Sequence, residues 1–144
     1  MKLSSPEFGH NTFLPQKFTC QGEKINPALI IEGVPAQAKS LALIMEDPDA
    51  VEGNFVHWLL YNISPLISRI EENSVAGMQG LNTLGRLGYA SPCPPSGVHR
   101  YIFKIYALDK MLDYGEGLSR GKLEQEISAH LLDKAELIGL FKKK

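Results

Sequence analysis

The residues best suited to chemistry in this sequence are two histidines, an aspartate and a tyrosine near the ends of apolar stretches: His57, His99, Asp47 and Tyr101. Two imidazoles and a phenol can donate hydrogen bonds to a phosphate, sulfate or carboxylate group. Asp47 would repel an anion that it touched. It fits better behind a histidine, where it accepts one ring N–H and leaves the other ring nitrogen for the ligand. The four residues therefore predict an anion-binding site, provided that the fold brings them together.

The same side chains allow an enzymatic alternative. Two histidines and a carboxylate form the ligand set of a non-haem iron site and would suit zinc with an open coordination position. Either histidine could instead serve as a general base. Because the sequence has no His-x-x-x-His or similar closely spaced motif, a binding protein is favoured over a metal- or histidine-dependent enzyme that uses Asp47, His57 and His99. A third alternative is that the cluster serves the fold and that function lies in a homodimer surface.

Four stretches are predicted to form the strands that position these residues. They are rich in β-branched, aromatic and aliphatic residues and lie between Gly, Pro and Asp clusters: 28–32, 40–47, 55–63 and 99–108. The second and third are apolar on both faces, which is typical of central strands that are covered on both sides. A short connection between them favours their pairing.

Strand alternation assigns each polar residue to a face. Each falls in a row with apolar residues of its own strand: Asp47 with Leu41, Leu43 and Met45; His57 with Leu59, Tyr61 and Ile63; His99 and Tyr101 with Phe103 and Ile105. If these strands are neighbours, the polar residues meet at one rim of the sheet.

The remaining chain predicts one helix and a long irregular region. A helix is expected over 119–133, with Ser119 as its N-cap and an apolar face that includes Leu123 and Ile127. A strand-like run follows at 136–141. Residues 66–98 show no regular period and hold five glycines, so they are expected to form long ordered loops.

Composition limits the class of protein. A length of 144 residues suits a single domain spanning 1–144. Fifteen basic and sixteen acidic residues give a net charge of −1, which argues against a nucleic-acid partner. No apolar run approaches the roughly 20 residues of a membrane span.

The N-terminus carries no apolar signal-peptide core, so a cytoplasmic location is the expectation from the sequence. In that compartment Cys20 and Cys93 would remain thiols. Cys93 stands among prolines with no charged neighbour in sequence to activate it, and it is predicted to be a packed thiol rather than a nucleophile.

Three stretches resemble a known family in their order and spacing. They are Asp47-Pro48-Asp49-Ala50, then His57-Trp58 followed by Asn62, then the block from Gly88 to Tyr101 that contains Pro-Cys-Pro-Pro and His-Arg-Tyr. Together they resemble the phosphatidylethanolamine-binding protein family, and in particular its short bacterial branch, often called Raf-kinase-inhibitor-like. The likeness runs along nearly the whole chain.

The resemblance implies a mainly β fold, in which a central antiparallel sheet packs with a smaller sheet as in a β-sandwich. Peripheral helices would include one near the C-terminus. It also implies an anion pocket formed by Asp47, His57, Pro94, His99 and Tyr101. Arg100 is expected to pair with a carboxylate elsewhere and hold the loop.

What the resemblance implies about activity is binding rather than catalysis. It assigns no catalytic residue, no metal and no cofactor. The expected partner is a phosphorylated small molecule or a phospholipid head group, and the protein could modulate a protein kinase or a protease.

Overall fold

The computed structural model describes residues 1–144 and contains two β-sheets and one α-helix. The elements in chain order are β1 (Lys2–Ser4), β2 (Thr12–Phe13), β3 (Leu29–Glu32), β4 (Ser40–Asp47), β5 (Phe55–Ile63), β6 (Arg69–Ile70), β7 (Met78–Gln79), β8 (His99–Leu108), α1 (Arg120–His130) and β9 (Leu131–Phe141). A 3₁₀ turn occupies Gln16–Phe18. Helix α1 has 11 residues, and it is neither long enough nor apolar enough to cross a membrane.

The larger sheet has six strands in the order β2-β9-β8-β4-β5-β7, and the smaller has three in the order β1-β3-β6. All strand pairs are antiparallel except the short β2–β9 pair. The mainly β architecture, with a central antiparallel sheet packed with a smaller one and a helix near the C-terminus, is confirmed. Strands β4, β5 and β8 have the bounds expected from the sequence.

The two faces of the larger sheet bury two separate cores, because β4 and β5 are apolar on both sides. One face packs against the smaller sheet and includes Leu43, Trp58 and Phe103. The other face packs under α1, which contributes Leu123 and Ile127. The expectation that β4 and β5 are central strands is therefore confirmed, since all eight residues of β4 are buried.

Helix α1 ends three residues earlier than the sequence predicts. Ser119 is its N-cap, as expected, and the Ser119 hydroxyl accepts a hydrogen bond from the Lys122 N–H at 3.2 Å. At Leu131 the chain turns directly into β9, which pairs with β8 along its whole length, from Leu131–Leu108 to Phe141–His99. The predicted helix over 119–133 and strand over 136–141 were wrong at this junction, because a neighbouring strand outweighs the helical spacing of 131–133.

The region 66–98 is mostly irregular, as predicted, but it contains the two short strands β6 and β7. An isolated bridge also joins Leu81 and Leu87. These pairings are too short to leave a periodic pattern in the sequence.

Candidate functional site

The site lies at one end of the larger sheet, where β4 ends and β5 and β8 begin. β4 is hydrogen-bonded to β5 on one side and to β8 on the other. Asp47 is paired with Phe55, and His99 is paired with Phe141 at the end of β9. The strand adjacency that would bring the polar residues together is therefore present, and residues from three strands lie at one rim.

Asp47 lies behind His99, in the arrangement expected for a carboxylate that orients a histidine. The His99 Nδ1 lies 2.6 Å from the Asp47 Oδ2, and both residues are buried. The Asp47 Oδ1 accepts the Asp49 N–H at 2.8 Å. Because a carboxylate only accepts, the His99 Nδ1 carries the proton and donates it to Asp47. The His99 Nε2 makes no hydrogen bond within the protein.

His57 reaches the same rim through a β-bulge. Met45 pairs with Trp58 and Glu46 pairs with Val56, so His57 is an extra residue that has no partner on β4. The His57 ring packs against Phe55, with centroids 4.6 Å apart, and against Tyr101, with centroids 5.3 Å apart.

The bulge overturns the row that the sequence predicts for His57. Leu59 and Tyr61 face the core under α1, whereas His57 contacts Tyr101, which belongs to the core between the sheets. Alternation with a period of two fails across an extra residue, since a bulge turns the side chains after it to the opposite face. The sequence carries no glycine or other signal that would locate this bulge.

The hydrogen bonds of His57 fix its tautomer. The His57 Nδ1 lies 2.6 Å from the Ala90 carbonyl oxygen, which can only accept, so Nδ1 carries a proton. Burial has the largest effect on the pKa of His57 and lowers it, and the nearby His99 also lowers it. The Ala90 carbonyl and the Asp47 charge oppose this and raise the pKa. The net shift is downward, so near neutral pH the ring is uncharged and its Nε2 has a free lone pair.

Tyr101 brings an unpaired hydroxyl to this rim. The residue is 1% exposed, and its ring meets His57 edge-on. Its hydroxyl makes no hydrogen bond to the protein. Burial and the charges of Asp47 and Asp49 raise its pKa, so the phenol is protonated and can donate.

Pro94 is buried in the segment that connects Ala90 to His99. The preceding residue, Cys93, is bonded to Cys20 in a disulfide with a Cα–Cα distance of 5.4 Å. The prediction that both cysteines are thiols was therefore wrong. It followed from an assumed compartment, and a separation of 73 residues gives no sequence signal for pairing.

Two contributors to the rim were not assigned to the site from the sequence. Asp49 accepts the Arg100 backbone N–H and Nε–H at 2.9 Å on one oxygen and the Arg100 Nη2–H at 2.9 Å on the other. These hydrogen bonds hold the pKa of Asp49 down at about 2. The expected pairing of Arg100 with a carboxylate is thus confirmed, and it ties the β4–β5 turn to the start of β8. The Ala90 contribution is a backbone carbonyl, which no side-chain pattern can reveal.

Other places that could hold a ligand are less well suited to an anion. Two surface clefts of about 520 and 450 Å³ lie along α1, on the face of the larger sheet opposite to the Tyr101 side chain. In the second, the Glu46 carboxylate is already paired with Lys104, Arg120 and Asn54. No three His, Cys, Asp or Glu side chains are arranged to hold a metal ion. Asp47, His57 and His99 therefore do not form a common metal site in this arrangement.

The protein is of the β-sandwich class, with two histidines, a carboxylate and a tyrosine at one rim of its larger sheet. The family model described as phosphatidylethanolamine-binding protein matches residues 4–142. The chain belongs to the phosphatidylethanolamine-binding protein family.

Relatives of similar length support this assignment. A UPF0098 protein of Methanothermobacter thermautotrophicus is 44% identical, with 99% of each chain covered. A UPF0098 protein of Chlamydia muridarum is 42% identical, with 98% of each chain covered. The relatives include archaeal as well as bacterial proteins, so the likeness extends beyond a bacterial branch.

Solved structures have the same fold. A crystal structure from Chlamydia trachomatis, described as a phosphatidylethanolamine-binding protein homologue, has a TM-score of 0.96 at 42% identity and covers 99% of this chain and 97% of its own. Escherichia coli YbcL, described as a member of the mammalian PEBP family, has a TM-score of 0.91 at 26% identity, with 99% and 98% covered. The sandwich is therefore shared along the full chain.

Proposed function

We propose that the rim formed by Asp47, His57, Pro94, His99 and Tyr101 binds a phosphoryl group, carried by a phospholipid head group or by a phosphorylated small molecule. The observation that carries the proposal is that three polar atoms have no protein partner. They are the Nε2 atoms of His57 and His99 and the hydroxyl of Tyr101. None of the three is sealed from solvent, since Glu72 Oε1 is the one buried side-chain polar atom without a hydrogen-bond partner, so all three are open to a ligand.

The chemistry of the three atoms fits a phosphoryl group. Tyr101 donates to a phosphoryl oxygen. The neutral His57 accepts through Nε2 from a P–OH group, and His99 donates from Nε2 whenever its ring is protonated. Asp47 balances the charge of a protonated His99, and its own oxygens are occupied by the His99 Nδ1–H and the Asp49 N–H. The carboxylate is thereby directed at protein donors rather than at the ligand.

The expected affinity is modest. Arg100 does not supply its guanidinium to a ligand at the two histidines and Tyr101, because that group is paired with Asp49. We therefore expect a dissociation constant on the order of 10 μM to 1 mM for a bare anion. The family name points to a phospholipid head group, so phosphorylethanolamine is the probe to compare with inorganic phosphate.

The family resemblance also implies modulation of a protein kinase or protease, and competition with phosphate shows whether such a partner uses the same rim. A protein partner that inserts a phosphoryl group there should be displaced by inorganic phosphate. A partner that docks elsewhere would be insensitive to phosphate.

The proposal is tested by calorimetric titration of inorganic phosphate and phosphorylethanolamine into the wild type and His99→Ala. Loss of a charge-assisted hydrogen bond should weaken binding by about 1.5–3 kcal/mol. His130→Ala is the matched control, because His130 pairs with Asp109 at the end of α1, and it should bind like the wild type. A loss below about 0.3 kcal/mol for His99→Ala, well under the value of a typical hydrogen bond, would contradict the role of His99.

A further inference from the structure

The segment 91–98 connects two parts of the proposed site. It follows Ala90, whose carbonyl accepts from His57, and it precedes His99, which donates to Asp47. Pro94 lies buried within it. The path of this segment therefore determines where the wall of the site stands relative to the two histidines.

Apart from the burial of Pro92 and Pro94, little holds this segment in place except the disulfide. Three of its residues are prolines, which have no backbone N–H to donate. The Cys20 N–H donates to the Pro92 carbonyl at 3.0 Å, and no other hydrogen bond joins 91–98 to the rest of the protein. From residue 93 to residue 98, the Cys20–Cys93 bond is the one polar or covalent tie.

The other end of the disulfide is firmly anchored. Phe18 is fully buried, and its carbonyl accepts the Tyr89 hydroxyl at 2.8 Å. The Thr19 N–H donates to Gln16 and the Gly22 N–H donates to Thr19, so Cys20 sits inside a hydrogen-bonded turn. The bond thus ties a weakly held segment to a fixed one, and its loss would release the segment rather than the anchor.

We infer that the Cys20–Cys93 disulfide controls the proposed phosphoryl site through its redox state: the oxidised form binds the anion, and reduction weakens binding. This inference rests on the proposed function. In the reduced protein, segment 91–98 samples more conformations and must be ordered again when the ligand binds, which lowers affinity. We expect the dissociation constant for inorganic phosphate to rise at least fivefold.

The exchange has a defined path and balance. Cys93 is exposed and Cys20 is half-buried, so a thiolate of a dithiol reductant attacks the Cys93 Sγ from solvent. The S–S bond breaks, and Cys20 leaves as a thiolate that takes up a proton. The second thiol of the reductant then releases Cys93 as a thiol. Overall two electrons and two protons pass to the protein, and the dithiol becomes a disulfide.

The test compares oxidised and dithiol-reduced wild type by calorimetric titration with inorganic phosphate, with reoxidation to show reversibility. Amide hydrogen exchange is followed in parallel. Reduction should accelerate exchange at the non-proline residues of 91–98 and leave Phe18 and Thr19 protected. Cys20→Ser/Cys93→Ser should bind like the reduced wild type, and the dithiol should not change its affinity. If this variant does not fold, the wild-type comparison decides alone.

The outcomes separate the two proposals. Phosphate binding that is equal in both redox states would overturn the redox control and leave the proposed function standing. Absence of phosphate binding in both states would overturn the proposed function, and the redox control with it. A fivefold or greater loss on reduction that reoxidation restores would support both.

Discussion

At the scale of single residues, Tyr101 is the side chain that best separates a ligand role from a structural one. Its ring fills the core between the sheets, while its hydroxyl has no protein partner. Removal of the hydroxyl should therefore cost the fold little.

Tyr101→Phe should weaken phosphate binding by about 1.5 kcal/mol, roughly tenfold, and leave the urea unfolding midpoint nearly unchanged. Tyr61→Phe is the matched control, because the Tyr61 hydroxyl donates to the Gly115 carbonyl and accepts the Leu118 N–H. The control should lose stability and keep its affinity. Unchanged phosphate affinity in Tyr101→Phe would remove Tyr101 from the site.

His57 should make stability depend on pH. Its folded-state pKa lies below its ordinary value, mainly because of burial, so the unfolded chain binds the proton more readily. This contribution to stability is present above about pH 6.5, the ordinary pKa, and is lost as pH falls toward the folded pKa.

The pH effect is measured by urea unfolding of the wild type and His57→Gln at pH 7 and pH 5. The wild type should lose more free energy of unfolding than the variant between the two values. Sulfate should oppose the loss more strongly in the wild type than in the variant, since the anion stabilises the charged His57 ring only where that ring is present. Parallel losses in both proteins would show that the pKa of His57 is not lowered by folding.

At the scale of the elements, the sequence predicted what local pattern determines. The bounds of β4 and β5 followed from apolar runs that end before Pro48 and at Ile63, and β8 followed from the run that begins at His99. The positions of Asp47 and Tyr101 followed from simple alternation.

Three features of the structure depend on contacts between separate segments of the chain. The bulge at His57 arises from how β4 and β5 pair, and the early start of β9 arises from its pairing with β8. The disulfide joins loops that are distant in sequence. None of these features has a signature within one segment, so local reasoning missed all three.

The anchor turn around Cys20 yields a prediction on stability. A Cβ at Gly22 would lie 2.3 Å from the Gln16 carbonyl oxygen and 2.6 Å from the Lys17 Cα, both backbone atoms. Gly22→Ala should therefore lower the free energy of unfolding by about 1–3 kcal/mol, the usual cost of overpacking.

The matched control is Gly121→Ala, in the first turn of α1, where a Cβ meets nothing within 4 Å. That variant should gain up to about 1 kcal/mol, because alanine favours a helix over glycine. Urea unfolding measures both. Equal stability of Gly22→Ala and the wild type would show that the turn can shift and is not a fixed anchor.

At the scale of the whole molecule, the proposed site lies between a rigid part, the strands β4, β5 and β8, and a less constrained part, the segment 91–98. Strands β4, β5 and β8 are fixed by two buried cores, whereas the segment 91–98 buries only Pro92 and Pro94 and is otherwise tied by one disulfide and one backbone hydrogen bond. With a net charge of −1, the protein as a whole does not attract anions. Recognition must therefore come from the local donors, and specificity from what surrounds them.

The measurement that tests the phosphoryl site most directly is an NMR titration of the histidine ring signals in the oxidised protein, with phosphorylethanolamine and inorganic phosphate run in parallel. His10, which accepts the Ile138 N–H, and His130, which pairs with Asp109, are internal controls outside the proposed site. We predict that the His57 and His99 signals shift together and saturate while the controls stay still, and the ratio of the two affinities shows whether a head group is recognised beyond its phosphate. No shift of His57 or His99 up to several millimolar ligand, above the weakest dissociation constant of about 1 mM expected for a bare anion, would contradict a phosphoryl site at this rim.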